Sequence, residues 1–192
     1  MADSKPKKKD AEEETSLGRW LLETAFLVLI AFALAQGIKA FLVQPFVIPT
    51  GSMIPTIALH NRVLAEKISY HLIRSPEYGD IVVFKNPMDD PTVPILIKRV
   101  VAVGGQTVDL KDGSVYVDGK KLNEPYTHGL PSEPINPSIT YPFRVPNGDL
   151  WVMGDNRTNS GDSRYFGPVP VSDVVGHAFW TYWPPAAFGA LH

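Results

Sequence analysis

The chain contains no cysteine. That excludes disulfides, a catalytic thiol and thiolate metal sites. It also lacks an excess of either charge: 18 Lys and Arg against 20 Asp and Glu leave a formal net charge of −2. A nucleic-acid binder carries a basic face, so no nucleic-acid partner is expected. Histidine is scarce. His60, His71, His128, His177 and His192 stand in no short motif with an acid, so a Ser-His-Asp triad finds no support. There are no internal repeats. At 192 residues the chain has room for one globular domain with a smaller lobe.

Glycine (15) and proline (18) are abundant and argue for strands and turns over long helices. The exception is the N-terminus. Residues 1–16, "MADSKPKKKDAEEETS", are charged and poor in apolar groups, which reads as a disordered tail, taken here to residue 18. From Trp20 to Val43 the chain is mostly apolar, and Ala25 to Ala35 wholly so. About 20 such residues span a bilayer as a helix, and 19–43 is read as a transmembrane anchor. Glu23, Gln36 and Lys39 lie towards its ends, where long side chains snorkel. Lys5, Lys7, Lys8, Lys9 and Arg19 precede the apolar run, which orients the tail to the cytoplasm and residues 44–192 outside. Ala33-Leu34-Ala35 fits a signal-peptide cleavage site, but apolar character resumes from Ile38 to Val43, favouring an uncleaved anchor.

After Val43, short β-branched and aromatic runs alternate with Gly, Pro, Asn and Asp, as in "DIVVFKNP", "ILIKRVVAVGG" and "DLWVMGDN". This patterning predicts an all-β domain. Two Asp-Gly pairs in "KDGSVYVDGKKL" predict hairpins. Residues 127–147 hold five prolines and read as a loop.

Three stretches hold residues able to do chemistry. In "PTGSMIPTI", Ser52 lies between prolines; that reads equally as a turn or as a mounted nucleophile. It is not the G-x-S-x-G elbow, because Ile54 fills the second glycine place. In "ILIKRVVAV", alternation groups Leu96, Lys98, Val100 and Ala102 on one face and Ile97, Arg99 and Val101 on the other. An amine among aliphatic groups loses its proton more easily and can serve as a base; the plain alternative is a snorkelling lysine. Arg99 stays charged and needs a carboxylate or water. The third stretch, "GDNRTNSGDSRYFGPV", fails as a calcium loop, having Ser160 where Gly and Phe166 where Glu is required. Its Asp155, Asp162, Arg157 and Arg164 are able to pair, fixing a tight loop that aims Ser160 inward.

Together, "IPTGSMIPTI", "GDIVVF", "IKRVVAVGG" and "GDNRTNSGDSRYFGPV", in this order behind an apolar span, resemble bacterial type I signal peptidases over roughly residues 20–183. These are membrane-anchored serine proteases with a Ser/Lys dyad. The resemblance implies coiled antiparallel sheets in a two-lobed fold, with about 106–148 as a reduced second lobe. It implies Ser52 as nucleophile and Lys98 as general base. The Ser52 N–H and the Thr50 hydroxyl would form the oxyanion hole. Ser160 would orient the lysine, and Asp162, Arg164, Asp155 and Arg99 would give structural support. Met53 would line the cleft, and Phe46, Ile48 and Ile97 would form shallow substrate pockets. No metal or cofactor is expected. The expected partners are preprotein signal peptides and the bilayer, at the outer face of a plasma membrane, with cleavage after Ala-x-Ala-like sites. Two alternatives stay open: a related peptidase for a specialised substrate such as a pilus or conjugation protein, and a tethered β domain that only binds. Self-cleaving repressors use the same dyad but carry a DNA-binding head, and no helix-turn-helix is seen.

Overall fold

The computed structural model describes residues 8–67, 70 and 74–192. The chain forms two compact units, Met1–Leu42 and Val43–His192. In the first, α1 runs Lys8–Phe41. It begins ten residues before the end of the expected tail. The reason is compositional: the Lys, Ala and Glu of "KKDAEEET" are strong helix formers, and no Gly or Pro stands between Lys8 and Leu17. Residues 1–7 of that tail lie outside the described residues. Leu17–Gly37 is long and apolar enough to cross a membrane, with a mean hydropathy of 1.8. Its large side chains, such as Leu22, Phe26, Leu29 and Phe32, are exposed. The helix stops two residues short of Val43, where Pro45 and its restricting effect on Gln44 favour extended chain.

In the second unit every strand pairing among the described residues is antiparallel. Its strands are β1 (Val43–Val47), β2 (Arg62–Glu66), β3 (Ile81–Lys85), β4 (Ile95–Val103), β5 (Thr107–Lys111), β6 (Ser114–Val117), β7 (Lys120–Lys121), β8 (Phe143–Arg144), β9 (Asp149–Met153), β10 (Val169–Pro170), β11 (Val174–Trp183) and β12 (Gly189–Ala190). A one-turn helix, α2, covers Ser163–Phe166. The larger sheet has the order β1-β2-β11-β3-β4-β9-β10, with β12 beside β11; the smaller has the order β7-β6-β5-β8. Pro45 is tolerated in β1 because β1 is an edge strand.

The smaller sheet occupies much of the region expected to form the reduced lobe. Its hairpins are closed by the two Asp-Gly pairs. Asp112 and Gly113 have φ of 49° and 69°, and Asp118 and Gly119 have φ of 52° and 77°. Both central residues are left-handed, as a type I′ turn requires.

Strand β4 is the spine of the unit, with Ile97 to Ala102 buried without a break. Ile97 joins Ile48, Met53, Ile57, Val63 and Val83 in one core. Val100 packs with Val82, Phe84 and Val152 in another. Val101 and Ala102 together meet Val108, Val115 and Trp151, so the small sheet rests on β4 and β9. The expected alternation breaks at this point because the β4–β9 register shifts between Val100 and Ala102. A bulge of this kind redirects side chains.

Candidate active site

Ser52 belongs to the turn that leaves β1 and returns as β2. Ile54 N–H donates to Gly51 O at 3.2 Å and Ile57 N–H to Met53 O at 2.8 Å, coiling the segment. The loop after β9 holds it from the other side: Asn156 N–H donates to Ser52 O, and Asn156 Nδ2 to Gly51 O, each at 3.0 Å. A side chain on Gly154 would overlap Ser160 Oγ and the Ser52 carbonyl, so only glycine permits the two segments to lie this close.

Lys98, on β4, meets this turn. Its Nζ lies 2.7 Å from Ser52 Oγ and donates to Ile97 O at 3.0 Å. Both residues are buried, Lys98 being 2% exposed and Ser52 5%. Burial pushes the Lys98 amine down to about 8 against the pull of the Asp162 and Asp155 charges. The amine thus has a hydroxyl and a carbonyl as its neighbours and, among the described residues, no carboxylate in hydrogen-bond contact. A neutral amine with one N–H on Ile97 O still has a lone pair to accept the Ser52 proton. Thr50 Oγ1 lies 3.4 Å from Ser52 Oγ. The Ser52 N–H donates to no acceptor among the described residues.

The carboxylates near the amine are closed by arginines. Arg99 grips Asp155 through Nε at 2.8 Å and Nη2 at 2.7 Å. Arg164 grips Asp162 in the same bidentate way at 2.9 and 2.8 Å. Asp162 also accepts Gly154 N–H and caps α2 at Arg164 N–H. Thr56, on the Ser52 turn, donates to Asp155.

Two expected placements differ. Ser160 Oγ is buried without a hydrogen-bond partner; it does not hold the lysine, whose second donation goes to the Ile97 carbonyl instead. Met53 does not line the cleft. It is fully buried in the core with Ile48 and Ile57, because the coil after Ser52 turns it inward. Phe46, Ile48 and Ile97 do line one pocket of about 180 Å³, together with Val83, Val93 and Ile95. Ile97 and Ile48 precede Lys98 and Ser52 by one and four residues, respectively. Beside these residues the outer edge of β1 is unpaired among the described residues, and so is one side of Ile95–Lys98 of β4, since β9 pairs only from Arg99 onward.

The sequence reading missed Arg157's partner. Arg157 pairs with Glu124 at 2.9 and 2.6 Å and with Ser132 Oγ at 2.6 Å, both brought by the connection between β7 and β8. A contact spanning 33 residues leaves no local signature. Asn156, by contrast, lay within the polar loop already singled out.

Comparison with known proteins gives the site its context. Residues 21–183 match the family described as signal peptidase, peptidase S26. A probable signal peptidase I-1 from Synechocystis is 38% identical, covering 90% of this chain and 88% of the relative. A probable signal peptidase I-2 from the same organism is 40% identical over 96% of this chain and 82% of its own length. The signal peptidase I of Mycobacterium tuberculosis is 34% identical, over 98% and 81%. On these matches, the chain belongs to the signal peptidase family, peptidase S26.

Proposed function

We propose that this chain is a membrane-anchored serine endopeptidase that removes signal peptides from preproteins, cutting after small-x-small sites. The observation that carries the reading is the buried 2.7 Å contact between Ser52 Oγ and Lys98 Nζ, on a chain of the signal peptidase family.

Neutral Lys98 takes the Ser52 proton as Oγ attacks the scissile carbonyl carbon. The oxyanion is met by the Ser52 N–H and the Thr50 hydroxyl; one such donor lowers the barrier by about 3–4 kcal/mol. The Lys98 ammonium then gives its proton to the departing amine, leaving a Ser52 ester. Lys98, neutral again, deprotonates water, which attacks the ester, and the proton returns to Ser52 as product leaves. The Arg99–Asp155 and Arg164–Asp162 pairs keep the nearby carboxylates occupied, so that the amine stays available.

Substrate adds as an extended strand along the open edge at Ile95–Lys98 and the segment after β1, a mode in which backbone bonds give affinity and pockets give selectivity. Phe46, Ile48 and Ile97 favour small side chains. The apolar helix inserts in the bilayer, with the N-terminal tail in the cytoplasm and residues 44–192 outside. Ser52 follows Val43 by nine residues, a tether of about 30 Å even when extended. That keeps the nucleophile near the surface where a signal peptide, itself held by its apolar region, presents its cleavage site.

The test is incubation of the full-length protein in detergent with a preprotein whose signal ends in Ala-x-Ala. Cleavage at that site, lost in Ser52→Ala and in Lys98→Ala, is the expected result. Cleavage that survives either substitution would overturn the assignment. Ile48→Ala should relax selectivity at the small positions; an unchanged preference would remove Ile48 from the pocket.

A further inference from the structure

Three buried arginines surround the dyad, and two of them share one aromatic ring. Tyr126 sits in a short 3₁₀ turn, Pro125–Thr127, in the connection between β7 and β8 of the small sheet. The Arg99 guanidinium carbon lies 4.0 Å from the centre of its ring. The Arg157 guanidinium carbon lies 5.9 Å from the same centre. The ring's hydroxyl donates to Glu124 Oε1 at 2.9 Å, and Glu124 in turn takes Arg157 in its two-pronged grip. Tyr78 OH completes the set at 3.4 Å from Tyr126 OH.

Each link from this ring leads to the dyad. Arg99 follows Lys98 directly on β4, so its position sets where that stretch of strand lies. Arg99 also closes Asp155, which accepts from Thr56 on the Ser52 turn. The next residue, Asn156, holds the Ser52 carbonyl. Arg157 donates to Gly154 O at 3.0 Å, fixing the start of the same loop. A guanidinium over an aromatic face is attracted by the ring's negative quadrupole, the more so when desolvated.

We propose that Tyr126, through the face of its ring, is a positioning residue for the Ser52–Lys98 pair: it clamps Arg99 onto Asp155, and through them fixes both members of the dyad. The connection between β7 and β8 thereby contributes to the reaction without touching substrate. The inference rests on the Ser52/Lys98 reading and deepens it. The charged groups acting on Lys98 are Asp155 and Asp162, closed by Arg99 and Arg164. If the ring is lost, Arg99 loosens, Asp155 is less compensated and water reaches the site. Both changes favour the ammonium form of Lys98, so the acidic limb of the pH–rate profile moves upward.

The experiment compares full-length parent, Tyr126→Phe and Tyr126→Leu on the Ala-x-Ala preprotein across pH, with Lys98→Ala as control. Tyr126→Phe keeps the ring face and should retain the parent profile. Tyr126→Leu should raise the acidic midpoint by about one pH unit and cut kcat near neutral pH about tenfold, with KM within about twofold. A merely structural role would lower the melting temperature without moving the midpoint. If Tyr126→Leu fails to fold by circular dichroism, Tyr126→Met fills the space without an aromatic face and is read by the same criterion. An unmoved midpoint in the folded variant, with Lys98→Ala inactive, overturns this inference alone. Activity in Lys98→Ala would instead overturn the dyad reading beneath it.

Discussion

Lys98 and Arg99 are neighbours on β4, both cations, and both almost wholly buried, at 2% and 1% exposure. Their surroundings differ. Arg99 has a carboxylate in bidentate contact, a carbonyl at Gly79 and an aromatic face. Lys98 has a serine hydroxyl and one carbonyl. A buried charge is tolerated when paired and penalised when not. The paired guanidinium stays charged and supports the fold. The unpaired amine is driven towards neutrality and becomes able to move a proton. One strand thus places a paired cation and the proposed base one residue apart, and what sets them apart is their partners.

The sharpest break in that comparison is to put a guanidinium in the place of the proposed base. Lys98→Arg retains charge but stays protonated at any working pH. It should lose at least about 10³-fold in kcat on the Ala-x-Ala preprotein, the upper part of the range for a general base, while circular dichroism stays that of the parent. Substantial turnover in a folded Lys98→Arg protein would remove Lys98 as the base. The reverse break takes the carboxylate from Arg99. Asp155→Asn leaves a guanidinium buried without its counter-charge, and should cost about 3–5 kcal/mol of stability in denaturant unfolding of the full chain. A loss below about 1 kcal/mol, the value of an exposed pair, would show that the pair's burial counts for little.

This contrast was half legible beforehand. The position of Lys98 in an aliphatic strand and the crowding of Asp and Arg in residues 154–169 are local patterns, readable because side chains alternate along a strand and because charges in a tight loop must pair. Likewise the Asp-Gly pairs marked both hairpins of the small sheet. Long-range choices were not legible. Arg157 had nearby Asp155 and Asp162 as candidate partners, yet takes Glu124, because Arg99 and Arg164 already occupy those two. Met53 follows Ser52 directly, and only the coil of the turn decides that it faces the core. The start of α1 at Lys8 was hidden because charge density reads as disorder, while Lys, Ala and Glu are also good helix formers.

A third test sharpens the cost side. Burial lowers Lys98 from an ordinary 10.5 to about 8. Below pH 8 the amine is protonated in both folded and unfolded chains, and the folded state bears the full penalty of a buried ammonium. Between pH 8 and 10.5 the unfolded chain binds the extra proton, so stability rises with pH and the penalty vanishes above 10.5. Lys98→Met should therefore stabilise the inactive protein by about 1–3 kcal/mol near neutral pH, with the gain fading as pH climbs through that window. Urea midpoints of parent and variant at several pH values check it; a gain independent of pH would mean that packing, not charge, sets the difference.

The smallest effect belongs to a cation that is neither buried nor catalytic. Lys85 ends β3, and its Nζ lies 3.9 Å from Asp173 with both side chains well exposed. Water already solvates each charge, so their attraction is weak and holding two side chains together costs entropy. Lys85→Gln should change stability by no more than about 0.5 kcal/mol, and the difference should shrink further as salt screens the pair. Unfolding the parent and variant at low and high salt measures both. A loss approaching that of Asp155→Asn would mean that a carboxylate partner stabilises this fold regardless of burial, and the distinction between Lys98 and Arg99 would then need another cause.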